Sequence, residues 1–231
     1  MPPVTSVALV GGTGRSGPGL AMRLARAGVA VRIGSRDAER GAEAAAAVTA
    51  TLAALGGSPA SVTGHDNADA VREADLTVIT VPYEAQAATL PPLRDLLRDR
   101  IVVSTVVPMG WTDGRAELLA VPEGSAAEQA AAILDHSRVC AAFHSLSSAV
   151  LKRADRGVDQ DVMVTGDDEE ARATVRALAE LMPGVRGIDA GPLRNARHTE
   201  ALTVLLLAVN RSHKAHTGVR LTGLPQLSRG D

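Results

Sequence analysis

Aromatic residues are scarce in this sequence. Only Tyr83, Trp111 and Phe143 occur in 231 residues. A core must then be built from Val, Leu, Ile and a great deal of Ala. A flat ligand ring would meet aliphatic walls and backbone rather than stacked aromatics. Cysteine is nearly absent as well. The lone Cys140 can form no intramolecular disulfide and is too little for a metal cage, so a reducing compartment is permitted. Neither sign of charge dominates, with 24 Lys and Arg against 26 Asp and Glu. That balance leaves no electrostatic footprint for nucleic acid or an anionic membrane. Long hydrophobic runs are missing too. Val204–Val209, near the C-terminus, is far too short to span a bilayer. The N-terminus has no basic segment followed by an apolar stretch, so no signal peptide is expected and the cytoplasm is the expected location.

What is present reads as an alternation. Apolar residues make up 45% of the chain, enough for a globular core. Val4–Val10 is a continuous apolar run that suits a strand covered on both faces. It leads into a glycine cluster, a helix through Leu20 and Leu24, a strand at Val29–Ile33 and an alanine-rich helix from Asp37 to about Leu55. Asn67–Glu73 reads as a short helix. Strands follow at Leu76–Val81, Ile101–Val107 and Val139–Phe143, with a helix at Glu84–Arg98 interrupted by Pro91-Pro92 and another at Ser125–Leu134. Repeated βα units predict an α/β fold of Rossmann type, a doubly wound parallel sheet with right-handed crossovers. After His144 the pattern loosens. Strands at Val162–Val164 and Val185–Ile188, a helix at Glu169–Leu181 and a long helix from Asn195 to about Thr217 predict a smaller α/β C-terminal domain. The expected division is 1–144 for a dinucleotide-binding domain and 145–231 for the second.

Gly12-Thr13-Gly14-Arg15-Ser16-Gly17 fits G-x-G-x-x-G. The pattern alone is weak, and a plain glycine turn would also satisfy it. Here it follows a predicted buried strand and opens a predicted helix, which is the context that a dinucleotide site requires. Gly12 permits the tight turn, Gly14 lets backbone amides approach a pyrophosphate, and Gly17 lets the helix pack against the strand. The helix N-terminus supplies free N–H donors and partial positive charge.

The end of the second strand selects the dinucleotide. A carboxylate there would hold the ribose 2′-hydroxyl of NAD. This chain instead has Gly34-Ser35-Arg36, with Arg40 one helical turn on. A hydroxyl and two guanidinium groups suit a 2′-phosphate, so the expectation is NADP(H). The competing reading makes Arg36 and Arg40 a solvated helix face. Asp37 sits at a plausible helix N-cap.

Taken together, these motifs resemble a known family. Gly11-Gly12-Thr13-Gly14, Gly34-Ser35-Arg36, Val81-Pro82-Tyr83-Glu84 and Val107-Pro108 are similar to the NADP-dependent oxidoreductases of coenzyme F420, a deazaflavin. So are Ser125-Ala126-Ala127-Glu128, His144-Ser145-Leu146, Gly166-Asp167-Asp168-Glu169 and Asp189-Ala190-Gly191-Pro192-Leu193, in the same order along most of the chain. The resemblance implies direct hydride transfer between NADPH and F420. It implies that Thr13, Gly14, Arg15 and Ser16 hold the pyrophosphate, and Ser35, Arg36 and Arg40 the 2′-phosphate. Tyr83, Val107, Met109 and Ser148 would line the nicotinamide side. His144, Leu146, Thr203 and Thr217 would face the deazaflavin. The family usually carries a Thr-Ile-Pro-Ala type of sequence after the histidine, where this chain has Ser145-Leu146-Ser147-Ser148. Related enzymes are oligomeric, so a homodimer is expected.

Hydride transfer between two ring carbons needs little acid–base help, and no catalytic triad is expected. His144, at the end of a strand, is the best side-chain candidate for stabilising a reduced anionic ring; a histidine satisfied by backbone is the competing reading. Cys140 reads as a small core residue. His213 and His216, three apart on the predicted last helix, could share a face but lack further ligands, so no metal is expected. Arg194, Arg197 and His198 could meet the acidic tail of F420 or simply form an exposed face. Two other functions remain compatible: an NADPH-dependent reductase of another small acceptor, and a non-catalytic NADPH-sensing module.

Overall fold

The computed structural model describes residues 3–224. The apolar run near the N-terminus becomes β1 (Ser6–Val10), followed by α1 (Gly17–Arg26), β2 (Ala30–Ser35) and α2 (Ala38–Leu55). Next come β3 (Val62–Asp66), α3 (Asn67–Arg72), β4 (Leu76–Ile79) and α4 (Tyr83–Thr89). Two 3₁₀ turns, Pro91–Leu93 and Asp95–Leu97, lead to β5 (Ile101–Ser104). The hairpin β6 (Met109–Thr112) and β7 (Arg115–Leu118) precedes α5 (Ala126–Ile133) and β8 (Arg138–Ala141). The last part carries α6 (Ser148–Lys152), β9 (Gln160–Gly166), α7 (Glu169–Glu180), β10 (Val185–Asp189) and α8 (Ala196–His213).

Eight of these strands form one sheet in the order β10-β9-β8-β5-β4-β1-β2-β3. Every neighbouring pair is parallel except β8 with β9. The sheet is continuous across residue 144, because β9 and β10 join it through that antiparallel pair. Alternate residues of β1 serve opposite faces, as strand geometry requires. Val7 and Leu9 pack with Leu20, Leu24, Val48 and Leu178 on one side. Ala8 and Val10 pack with Val71, Leu90, Leu97 and Ala130 on the other. Each fully buried leucine contributes roughly 2 kcal/mol from apolar burial.

Local chemistry fixes the helix starts. Asp37, Asp66, Ser125 and Asp168 cap α2, α3, α5 and α7 by accepting from backbone amides of the first turn. Ser125 and Glu128 stand at the spacing of a capping box. The Ser125 Oγ accepts from the Glu128 amide at 3.0 Å, while the Glu128 carboxylate returns to the Ser125 hydroxyl at 2.8 Å. The helix expected over Glu84–Arg98 stops at Thr89, where the double proline turns the chain into 3₁₀ geometry. The helix expected to run to about Thr217 ends at His213, with Lys214 left-handed at its C-cap.

The six mutually parallel strands β3, β2, β1, β4, β5 and β8 point their carboxyl ends to one edge, and β9 and β10 run the opposite way. Register places Gly166 opposite Cys140 and Thr165 opposite Ala141, so the antiparallel β9 starts at that same edge with Gln160. The α8 helix overhangs this edge. Arg211 donates from Nη1 to the Gly114 carbonyl at 2.7 Å, tying α8 to the tip of the hairpin. Beyond α8, the Asp161 amide donates to the Val219 carbonyl at 2.7 Å, and the Leu221 amide returns a bond to Asp161 Oδ2 at 2.7 Å. No helix among the described residues is long and apolar enough to cross a membrane.

Candidate functional site

The loop from Gly11 to Ser16 leaves β1 at the carboxyl edge. The Gly12 amide donates to the carbonyls of Gly34, at 2.8 Å, and Leu9, at 3.1 Å. Asn67 at the start of α3 accepts from the Gly11 amide at 3.0 Å. The loop is thus fixed from β2 and α3 with no ligand needed to shape it.

Two glycines of the motif differ in what holds them. A Cβ on Gly17 would run into the Gly12 carbonyl oxygen, so fold packing excludes a side chain there. A Cβ on Gly14 would meet nothing nearer than the Gly11 carbonyl oxygen at 3.5 Å, an ordinary contact, and Gly14 itself is exposed. The protein has no packing use for a glycine at 14. The start of α1 is also unlike the four capped helices. Its N-cap Ser16 makes no side-chain cap bond, and its first turn holds no acidic residue. The first-turn amides and the positive end of the helix therefore face the edge unneutralised.

Ser35 closes β2 and is 5% exposed, with its Oγ accepting from the Asp37 amide at 3.4 Å. Asp37 spends its carboxylate on the Glu39 amide at 2.9 Å, as expected of a cap. Arg36 and Arg40 are exposed, as is Arg15 in the loop. None of the three guanidinium groups forms an ion pair among the described residues. A cluster of unpaired cations beside an uncapped helix start suits a ligand with two separated anionic groups.

Further along the edge, Tyr83 opens α4 half-buried, and its phenol oxygen lies 3.4 Å from the donating Nε2 of Gln129. Val107, between β5 and the hairpin, and Met109, the first residue of β6, are half-buried. Phe143, at the end of β8, is buried at 4% exposure with φ of 65°. A bulky residue in the left-handed region costs about 1–3 kcal/mol, and such strain concentrates at functional sites. It turns the chain sharply into His144–Ser148. Burial lowers the His144 imidazole to about 4, with the backbone carbonyls of Ala142 and Thr199 opposing that shift. Burial thus favours a neutral ring, which can offer one donor, over an imidazolium cation near pH 7. The enclosed Nδ1 has no hydrogen-bond partner among the described residues.

The remaining expected residues have mixed placements. Leu146 is 4% exposed and belongs to the core with Phe143 and Leu151. Ser148 is half-buried at the start of α6. Thr203 on α8 gives its hydroxyl to the Thr199 carbonyl at 3.4 Å. Thr217 donates both its amide and its hydroxyl to Asn210 Oδ1, at 2.6 and 2.7 Å. His216 Nδ1 lies 3.5 Å from Ser147 Oγ, so the segment after α8 rests against the turn after β8. Arg197 is paired with Glu128 at 2.9 Å, whereas Arg194 and His198 are exposed. Among the described residues, no three His, Cys, Asp or Glu side chains are grouped to hold a metal ion. Cys140 is fully buried, and burial pushes its thiol up to about 12. It is a core residue.

Sequence reading missed three residues that shape this edge. Asn67, Arg23 and Glu200 act across 56, 128 and 74 positions, and no local pattern reports such long reaches.

Comparison with known proteins converges on one family. The family model described as NADP oxidoreductase, coenzyme F420-dependent, matches residues 6–108. An F420-dependent NADP reductase of Methanothermobacter thermautotrophicus is 42% identical over 228 residues, covering 96% of this chain and 97% of its own. That of Methanocaldococcus jannaschii is 41% identical over 221 residues, covering 94% and 98%. A solved chain from Arthrobacter sp. FB24, provisionally described as an F420-dependent NADP reductase, shares the fold at a TM-score of 0.71. It is 24% identical and covers 92% of this chain and 96% of its own.

Proposed function

The chain belongs to the family of coenzyme F420-dependent NADP oxidoreductases, and we propose that it transfers a hydride between NADPH and coenzyme F420. When both are bound, the nicotinamide supplies or accepts the hydride and the deazaflavin is its counterpart, with one proton exchanged with solvent on the deazaflavin side. The protein's share is to bind, orient and exclude water.

The observation that carries this reading is the empty approach at Gly14. The fold would tolerate a side chain there, yet the position is glycine beside the uncapped start of α1. A pyrophosphate lying against those amides supplies the missing reason. Thr13, Gly14, Arg15 and Ser16 hold it. Ser35, Arg36 and Arg40 grip the 2′-phosphate, and no carboxylate stands at position 35 to repel it. Tyr83, Val107, Met109 and Ser148 flank the nicotinamide. Residues 1–144 carry the NADP site and end in His144, which meets the F420 ring, and residues 145–231 complete the F420 face with Thr203 and Thr217, while Leu146 backs that face from the core. Within the second ring site, a neutral His144 donates one hydrogen bond and adds no charge.

The working unit in this reading is a cytoplasmic homodimer. Trp111 is 58% exposed, Leu205 59% and Leu118 47%, on the hairpin and on α8, and an apolar surface of that kind gains from a second copy.

The test is a visible-absorbance turnover assay with purified protein, F420, and NADPH or NADH. Bleaching of the deazaflavin with NADPH, slower by about tenfold or more with NADH, is expected. Tight NADPH binding without any bleaching would overturn the F420 assignment and leave a reductase of another acceptor or a sensor.

A further inference from the structure

α6 is a single helical turn of five residues, too short to hold itself in water. Its last carbonyls have no helical successor to bond them. They are met instead by one side chain from the opposite half of the molecule. Arg23 of α1 donates from Nε to the Leu151 carbonyl at 3.1 Å and from Nη2 to the Val150 carbonyl at 2.7 Å. It reaches the turn beyond α6 as well, with Nη2 to Arg153 at 2.7 Å and Nη1 to Arg156 at 2.6 Å. Arg23 is 4% exposed and forms no ion pair with a carboxylate among the described residues. A buried cation solvated by four carbonyls is costly to place unless all four are held still. α1 and α6 also pack too closely at Gly19 to admit a side chain. A Cβ on Gly19 would stand 2.7 Å from the Leu151 Cβ.

The two ends of this linkage matter. α1 begins at the glycine loop, and α6 begins at Ser148, one residue past Ser147, whose carbonyl accepts from the Leu151 amide at 2.9 Å. We propose that Arg23 is a positioning residue for hydride transfer: by fastening α6 to α1, it fixes the His144–Ser148 segment relative to the dinucleotide held at the loop. This rests on the reading of that segment as the face of the acceptor ring. Hydride transfer is steep in donor–acceptor geometry, and a displacement of about 1 Å can cost about a hundredfold in rate. Arg23 touches neither ring, so its loss acts on orientation and leaves dinucleotide affinity alone.

The experiment compares Arg23→Met, Arg23→Lys and Gly19→Ala with a control, Arg100→Met. Arg100 does the same chemical task elsewhere, donating to the carbonyls of Val71, Ala74 and Arg72 at the end of α3. Four quantities are read: melting temperature, NADPH Kd, kcat with F420, and the isotope effect from NADPH deuterated at the transferred position. Amide exchange over residues 148–153 is followed in parallel. Arg23→Met is expected to lower kcat about tenfold or more, raise the isotope effect, speed exchange at 148–153, and leave NADPH Kd within about threefold. Arg23→Lys, which keeps the charge but loses the planar fork, is expected to fall between, and it serves if the methionine variant does not fold. Gly19→Ala pushes α6 away with the guanidinium intact and is expected to show the same kinetic signature. Arg100→Met is expected to lose melting temperature with kcat and isotope effect unchanged. Arg23 variants that lose only melting temperature, as the control does, would overturn the proposal. A wild-type protein that never bleaches F420 would sink the reading of the site, while exchange at 148–153 would still decide whether Arg23 holds that segment.

Discussion

Glu200 of α8 accepts from the Ala126 amide at 2.9 Å, and its other oxygen accepts from the Ala127 amide at 3.0 Å. One carboxylate thus occupies the first two free donors of α5 and locks the overhanging helix to the sheet layer. The residue is 1% exposed. Burial raises its carboxyl to about 7, against the pull of the two amides and helped by the nearby Glu128 charge.

A pH dependence follows. A carboxyl raised on folding contributes stability that is complete below its unfolded value of 4.5 and is lost as pH rises through about 7. The loss amounts to about 3 kcal/mol. The melting temperature of the wild-type protein should fall between those two pH values, and Glu200→Gln should flatten that slope. Parallel melting curves for the two proteins would count against it.

Glycine 14 and glycine 17 should separate binding from folding. Gly14→Ala is expected to keep the wild-type melting temperature, because the added Cβ meets only an ordinary contact, and to weaken NADPH binding by about tenfold or more. Gly17→Ala is expected to cost about 3 kcal/mol of stability, because its Cβ collides with the Gly12 carbonyl. Calorimetry on both variants with and without NADPH reads the contrast directly.

The choice of dinucleotide should follow position 35. Ser35→Asp places a carboxylate beside Arg36 where the 2′-phosphate would lie. It is expected to raise the KM for NADPH by about tenfold to a hundredfold and to improve NADH turnover. Steady-state kinetics with both dinucleotides measures this, and equal losses for the two would argue that Ser35 acts only through folding.

Asp161 should govern acid stability. Its carboxylate is fully buried between Arg186 and Arg220, which pair with it at 2.6 and 2.8 Å. Burial alone would raise it, but bonds from Arg186, the Leu221 amide and Arg220 bring it down to about 2. Its stabilisation is complete above 3.8 and is lost as pH falls toward that depressed value. Asp161→Asn is expected to cost about 3 kcal/mol near neutrality, and the gap to wild type should narrow as the solution is acidified through that range. Denaturant midpoints at three acid pH values would show it.

The cofactor end of the fold was the legible part of the sequence. β1, the glycine loop and the strand ending in Ser35 announced themselves because each rule involved is local. Val7–Val10 is apolar because both faces are covered, and the glycines follow within one turn. β3 was missed because it is an edge strand. Val62–Asp66 holds one aliphatic residue among Thr, Gly, His and Asp, so no apolar run marks it. The hairpin was missed although Asp113-Gly114 signalled it. Both residues have positive φ, as a two-residue primed turn demands, but the flanking strands are four residues long and largely exposed. The direction of β9 was illegible too, since strand polarity depends on partners far away in sequence. So was the fate of Leu146, whose side chain the strained turn at Phe143 sends into the core.

Trp111 is the sole indole of the chain, and it stands on the solvent side of the hairpin, 58% exposed, directly after Met109 and Gly110. The chain thereby carries one indole at the rim of the ligand edge, and excitation that bypasses Tyr83 selects it alone among the side chains. Its spectrum is a private channel: whatever covers or tilts the hairpin changes one emission band, and a reduced nicotinamide nearby can drain that emission by energy transfer. Binding, assembly and loop motion can therefore be followed in the unlabelled protein by light alone.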